Sequence, residues 1–394
     1  MALSPFATTS YNTALQRRSV DELIDLMSPE STPFLKLVGI NGEAKDNPKH
    51  EWLEDTLLAE SCAMTTGSGD IVLDSAATKL YVSAANIINF QPYNVLTTSN
   101  ATDGTEVMYV TAVDTTNNYV TVIRAVGGTT ASANHANGQT VNIIGIAATE
   151  NFDAPNKHAT TISSNYNYFQ AFDTSYKISN MARETYVYGV DDPDAREFEK
   201  AFKEVMVKLE NTCYHGYRAN AGDVTDVPRL MGGLTWFLWD DTNTSSLAYQ
   251  GDLNSADLTE KDINDMLQDR FYAVGPDKMG KTLLVGAWNK RKISDMYAPY
   301  ARMERSSRTG GVVVDTIETE WGPLDVLMSL RCPRDKVFLL NLDDISIHPY
   351  KGLSFYDEEK ASSGAYTIRQ IYGVYSLAVK NTKGMSIILE TSTS

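Results

Sequence analysis

The chain has 394 residues, 42% hydrophobic and 21% charged, with a formal net charge of −16. That length exceeds one typical domain and that composition is far from a disordered chain's, while 50 acidic against 34 basic residues argue against a basic face that grips nucleic acid. No run of about 18 apolar residues predicts a membrane span, and the scattered Cys62, Cys213 and Cys332, with five dispersed histidines, predict a reducing compartment with neither a disulfide framework nor a metal centre.

Residues 1–18 are polar, lack an apolar signal core and read as an arm. Ser19 and Glu22 form a capping-box signature for a short helix with Leu23, Ile24 and Met27 on one face. Pro29 and Pro33 then break and restart the helix within Ser28–Gly39. His50–Ala59 alternates as a strand. From Ser61 to Glu150 charge thins, Thr, Asn, Ser and Gly multiply, and short β-runs alternate with turns. Glu106–Val113 places Val107, Tyr109, Thr111 and Val113 on one face, Asp114–Asn118 turns, and Tyr119–Arg124 returns. Asn137-Gly138 turns again before Val141–Ile146. This stretch reads as a small all-β module inserted in something else. Asn165–Tyr176 alternates once more and is expected to pair with His50–Ala59 as the second side of a long hairpin.

A long helix follows. Asp192 is its N-cap, Pro193 suits the first helical position and Asp194 complements the helix dipole. Phe198, Phe202, Val205, Leu209 and Cys213 lie on one stripe, and a run to Arg218 spans roughly 40 Å at ~1.5 Å per residue. Ala221–Asp257 is loop-rich around the apolar Leu230–Leu238. A helix over Thr259–Tyr272, capped by Thr259 with Leu258 packing on Ile263, precedes a buried strand at Thr282–Val285 and a helix at Ala287–Tyr300, an α/β layer. Strands are expected at Val312–Thr316, Leu324–Ser329, Val337–Leu342, Ala365–Val379 and Met385–Leu389.

Gly275–Thr282 fits the pattern GxxxxGK[ST] of a phosphate-binding loop. That chemistry needs a strand entering and a helix leaving, so that amides at the helix start face the phosphates. Here a helix enters and a strand leaves, and Pro276 removes a donor, so a plain turn is the better reading. Asp191, Asp192, Asp194, Asp343 and Asp344 read as caps and solvated turns before metal ligands, and Asp357-Glu358-Glu359 as a surface charge run. No catalytic constellation is discernible. The aromatics Tyr166, Tyr168, Phe169, Phe172 and Tyr176 suit core or intersubunit packing better than base stacking. Arg302, Arg305 and Arg308 lie three apart in the Gly-ended loop Ala301–Gly311; a solvated loop is one reading, contact with acidic neighbours or packaged DNA the other.

Taken in order, SPESTPFLKLVG, HEWLEDTL, NYNYFQAFDTSYKIS, DDPDAREFEKAFKEVMVKLENTCYHGYRA, MGGLTWFL, WGPLDVLMS and IYGVYSLAVKNTKGMSIIL resemble segments of the major capsid proteins of tailed bacteriophages over nearly the whole chain. The resemblance implies an α+β fold of the Hong Kong 97 type. It would comprise an N-terminal arm with first helices (1–49), an extended loop (50–176) carrying a small all-β insertion domain (about 61–150), a peripheral domain (177–220, spine helix 192–218; and 343–394) and an axial domain (221–342). It implies self-assembly into hexamers and pentamers of an icosahedral head around double-stranded DNA, bound without sequence specificity, built in the host cytoplasm and located in the virion. No enzymatic activity, cofactor, metal or membrane is implied. Because the chain runs almost directly into the arm, a separate scaffolding protein is expected, with a portal protein and a decoration protein as further partners. Trp52, Glu54, Asp55, Tyr166, Tyr168, Phe169, Arg302, Arg305 and Arg308 are the expected assembly-interface residues. Lys45, Lys49 and Lys79 lie near where some relatives crosslink, but nothing at these positions identifies a crosslink. An encapsulin-like compartment shares the fold and stays open as the alternative, with an NTPase of the phosphate-binding-loop type at Gly275–Thr282 a distant third.

Overall fold

The computed structural model describes residues 32–55, 57–67, 76–100, 104–131, 135–148, 150, 162–185, 192–220, 228–239, 250–297, 315–361 and 364–392. The expected arm, the Ser19–Met27 helix and Arg302, Arg305 and Arg308 lie outside them. In chain order the elements begin with α1 (Pro33–Val38) and β1 (Lys49–Glu54). Six strands follow: β2 (Ser61–Thr65), β3 (Lys79–Val82), β4 (Asn94–Asn100), β5 (Gly104–Asp114), β6 (Tyr119–Ile123) and β7 (Thr140–Ile146). Next come β8 (Ser163–Tyr168), β9 (Gln170–Ser179), α2 (Asn180–Glu184), α3 (Pro193–His215) and α4 (Leu234–Leu238). Then β10 (Gln250–Asp252), α5 (Glu260–Val274), β11 (Thr282–Val285) and α6 (Ala287–Tyr297) alternate. The rest is strand: β12 (Thr316–Thr319), β13 (Gly322–Met328), β14 (Val337–Leu340), β15 (Ile345–Pro349), β16 (Tyr356–Lys360), β17 (Tyr366–Val379) and β18 (Ser386–Leu389). Residues 53–163 form one compact unit and the remainder a second.

The smaller unit contains a closed barrel of order β2-β3-β6-β5-β4-β7. Closure leaves no open strand edge, which a short sheet otherwise exposes. Alternation sends Met64, Leu80, Leu96, Met108, Val110, Val120 and Val141 inward. The phase of β5 is the reverse of a Val107–Val113 core face. Met108 and Val110 are buried, and a bulge between Val110 and Ala112 then turns Val113 back onto the core. Glu106, in phase with Met108, is 1% exposed. Both its oxygens are gripped by Arg124, at 2.7 and 2.6 Å, and His135 Nε2 lies 2.8 Å away. A bidentate pair of this kind is what lets a carboxylate enter an apolar interior.

The larger unit is organised by a six-stranded sheet of order β10-β18-β14-β11-β13-β12. Its central strands are buried along their whole length, because both faces are covered. Leu283, Val285, Val337, Leu339 and Ile388 meet α5 and α6, while Leu284, Phe338, Leu340, Ile387 and Leu389 join the core under α3 and α4. A second sheet pairs the 14-residue β17 with β9 on one side and with β15 and β16 on the other. The pairing crosses the boundary expected at 342/343: β15–β17 build the second sheet, whereas β18 returns to the first, between β10 and β14.

Two other expectations need correction. The helix from Asp192 stops at His215, because Gly216 leaves helical geometry where a Cβ would sit 2.4 Å from the Met231 carbonyl oxygen. The run Asn165–Tyr176 is not one strand: β8 pairs with β1, while β9 pairs with β17 over ten residues. Most of the strand expected at Val312–Thr316 lies outside the described residues; β12, Thr316–Thr319, is antiparallel to β13. Asp192 does cap α3, accepting from the amides of Asp194 and Ala195, and Thr259 forms a capping box with Asp262 at α5.

Candidate assembly surface

Strands β1 and β8 make a two-stranded ribbon. Alternation gives it an inner and an outer side. On the inner side Trp52 is 6% exposed, with its ring centroid 5.8 Å from Phe237, and Phe169 is 5% exposed, edge-on to Tyr350 at 5.3 Å. These two expected interface residues fill the subunit's own core, the ordinary fate of large aromatic surface. Tyr166 and Tyr168 point the other way, half-buried and edge-to-face at 5.5 Å. Glu54 is half-buried and Asp55 exposed, and the Glu54 carbonyl accepts from Ser163 Oγ at 3.1 Å. Leu53, Leu57 and Ile162 are 72%, 95% and 58% exposed, large aliphatic side chains that no motif marked.

Two residues absent from the sequence-based expectation hold the foot of this ribbon. Asn167 is wholly buried. Its amide group donates to the carbonyls of Gly232 and Leu377 at 3.0 and 2.7 Å, and its side-chain oxygen accepts from the Gly232 amide at 2.8 Å. Arg218 lies 3.9 Å from the ring centroids of both Tyr166 and Trp236 and donates to the Tyr166 carbonyl at 2.8 Å. Lys49 Nζ is 4.0 Å from the same Tyr166 ring and ion-pairs with Glu51. An asparagine within an alternating strand carries no sequence signal of burial; the nearest hint is its phase with Phe169.

The β1 side is held by two imidazoles. His50 and His348 are 6% and 7% exposed, with ring centroids 4.2 Å apart. His348 bonds the Glu43 carbonyl at 3.0 Å and Ser346 Oγ at 2.9 Å. Burial, reinforced by His348, Lys45 and Lys380, pulls His50 down to about 4. Burial also lowers His348, against the opposing effect of the Glu43 carbonyl. Gly42 is obligatory beside them, since a Cβ would lie 2.3 Å from His348 Nδ1.

Gly275–Thr282 runs from the end of α5 into β11, the reverse of the strand-to-helix order of a phosphate-binding loop. The amides of Gly275, Gly280 and Lys281 already donate to the carbonyls of Phe271, Gly384 and Leu340, at 2.9, 2.8 and 3.1 Å. Among the described residues no cluster of three His, Cys, Asp or Glu could hold a metal ion. Asp344 accepts from the side chains of Asn341 and Asn381. A cavity of about 350 Å³ at the C-terminal end of α3 is lined by Gln170, Thr212, His215, Tyr217, Leu230 and Met231, a set without a paired nucleophile and base.

The family model described as SU10 major capsid protein matches residues 7–392. No curated protein matches the chain. Among solved structures, the capsid asymmetric unit of cyanophage A-1(L) is similar over 98% of this chain and 100% of its own, with TM-score 0.57 and 12% identity. The capsid of a native GTA particle is similar over 99% and 100%, with TM-score 0.54 and 9% identity. The SrpI encapsulin of Synechococcus elongatus matches over 60% and 79%, with TM-score 0.42 and 10% identity. At these identities the likeness is one of fold: α+β, of the Hong Kong 97 type.

Proposed function

The chain belongs to the SU10 major capsid protein family, and we propose from that premise how it builds a capsid. Its role is structural, in the shell of a phage virion, and that shell is built from many copies of the chain. Copies join as hexamers and pentamers into a closed head around double-stranded DNA, with no catalytic step of their own. Assembly takes place in the host cytoplasm, with a separate scaffolding protein and a portal protein. The observation that carries this reading is the match of the family model from residue 7 to residue 392. The ribbon of β1 and β8, with Glu54, Asp55, Tyr166 and Tyr168, serves as the base of an extended loop that reaches a neighbouring copy, and the barrel is an insertion borne by that loop. Arg302, Arg305 and Arg308 bind acidic neighbours or packaged DNA.

Heterologous contacts of one surface with another close into rings by rotation, which suits a tile used in five- and sixfold settings. Each copy carries a charge of −16, so copies repel until salt screens them or interfaces outweigh the repulsion. Electron microscopy of the purified full-length protein, with and without co-produced scaffold, tests the reading. Closed shells or ring-shaped capsomers are expected, and added salt should promote association. A monomer at every salt and protein concentration, with scaffold present, would refute it.

A further inference from the structure

We propose that Asn167, backed by Arg218, is a positioning residue for self-assembly: it fixes where and in which register β8 leaves the subunit core, and so the geometry at which copies join. The inference rests on the self-assembly reading above. It starts from a cost. An amide side chain taken wholly out of water is unfavourable unless its donors and acceptor are matched, and an aliphatic residue would fill the same space without that requirement. Asn167 meets the requirement in full, with both amide protons and the carbonyl oxygen engaged, and the oxygen also accepts from the Tyr168 amide at 2.9 Å. Its partners lie 65 and 210 positions away in sequence, on the turn before α4 and on β17. One side chain therefore ties three segments of the core at a single point.

Such a tie matters here because the other anchors, His50, Trp52, Phe169 and the β9 ladder that begins at Gln170, all lie at the foot, and beyond it the ribbon has little else to set its register. A one-residue slip of a strand exchanges its two faces, and burial of one face normally forbids the slip. In this ribbon the inward side chains end at Trp52 on β1 and begin at Asn167 on β8, while Leu53, Leu57 and Ile162 beyond them are exposed. Two strands alone are marginal, and neither can hold the other in place. The three bonds of Asn167 to Gly232 and Leu377 exist in one register only. Arg218 then fixes the adjacent residue, binding the Tyr166 carbonyl while its guanidinium stacks on Tyr166 and Trp236. From Asn167 to Ser163 the strand rises about 13 Å at ~3.3 Å per residue, so a swing of about 10° at the foot displaces its end by ~2 Å. Close-packed interfaces do not absorb a shift of that size.

The test compares Asn167→Asp, Asn167→Leu and Arg218→Gln with a core control, Val205→Ala or Leu209→Ala, chosen to match their thermal midpoints. Full-length protein is co-produced in cells with the scaffold, particles are purified, and diameters are measured by electron microscopy. Wild type must form particles; if it forms none, the self-assembly reading itself fails. Given wild-type particles, the control should lower yield and keep the diameter, because a merely structural role changes how much subunit folds and not how subunits meet. The Asn167 variants should broaden the diameters and cut the native-sized fraction at least about tenfold, roughly the effect of 1.4 kcal/mol. Arg218→Gln shifts the distribution the same way to a smaller extent, and it keeps the test open should the Asn167 variants fail to fold. Native diameters in every folded variant, at the yield of the matched control, overturn the proposal.

Discussion

Arg124→Met would strip the guanidinium from a carboxylate that is 1% exposed inside the barrel. In the native protein Nε and Nη2 of Arg124 lie 2.7 and 2.6 Å from the two Glu106 oxygens, and His135 Nε2 lies 2.8 Å from one of them. Removing one partner of such a buried pair costs about 3–5 kcal/mol, because the remaining charge stays desolvated. That is a large share of the 5–15 kcal/mol that typically holds a folded domain. Glu106→Met combined with Arg124→Met removes the desolvation together with the attraction, and is expected to fall within about 1 kcal/mol of wild type. Native-state hydrogen exchange distinguishes the two cases. Amides of β5 and β6 should exchange roughly 10² to a few times 10³ times faster in the single variant, following ~1.4 kcal/mol per tenfold. Those of the double variant should stay close to wild type. Amides of α3 and β14, which belong to the other compact unit, are the internal reference and should not change. Acceleration below about fivefold in the single variant, or equal damage in the double, would refute the argument.

Three further outcomes follow from named contacts. His50 sits at about 4 when folded, against an ordinary 6.5. Its contribution is therefore complete above pH 6.5 and is lost as pH falls through 4, because only the unfolded chain gains the proton in between. At 1.36 kcal/mol per unit, wild type should lose about 3 kcal/mol more than His50→Gln between pH 7 and pH 4, read from urea midpoints; parallel curves for the two proteins would contradict the buried-imidazole assignment. Gly233→Ala places a Cβ 2.5 Å from the Thr212 carbonyl oxygen and 2.8 Å from that of Cys213. Backbone on both sides cannot yield, so a loss of about 1–3 kcal/mol is expected in chemical denaturation, and a change under ~0.5 kcal/mol would show that the turn relaxes. Calorimetric titration with ATP should show no saturable binding up to about 1 mM, a limit near −4.1 kcal/mol; binding that Lys281→Ala abolishes would restore the phosphate-loop reading.

Local chemistry in the sequence was a good guide wherever the determinant was itself local. Asp192 with Pro193, and Thr259 with Asp262, mark where α3 and α5 begin, and the apolar run Thr282–Val285 is the strand β11. Determinants distant in sequence were invisible. Alternation continues unbroken from Asn165 to Tyr176, yet the chain changes partner after Tyr168, because β17 offers β9 a ten-residue ladder. Trp52 and Phe169 look like anchors for a neighbour and turn out to fill the core. Nothing local marks Glu106 as buried, because Arg124 and His135, which close over it, lie 18 and 29 positions on. Asn167 is legible only through Gly232 and Leu377.

The place of β18 in the six-stranded sheet has a consequence for timing. Ser386–Leu389 is flanked by β10 and β14, so the interior of the sheet waits for residues near the end of this sequence. The neighbouring β17–β9 ladder likewise joins segments some 190 positions apart. Contacts of such long reach form slowly, after the loops between them have closed. The six-stranded sheet therefore cannot be completed before β18 has been synthesised, and the rigid tile exists only after that point. Synthesis itself thus delays the subunit's competence to associate. Chains truncated before Ser386 should collapse with an open strand edge between β10 and β14, and aggregate without joining a shell.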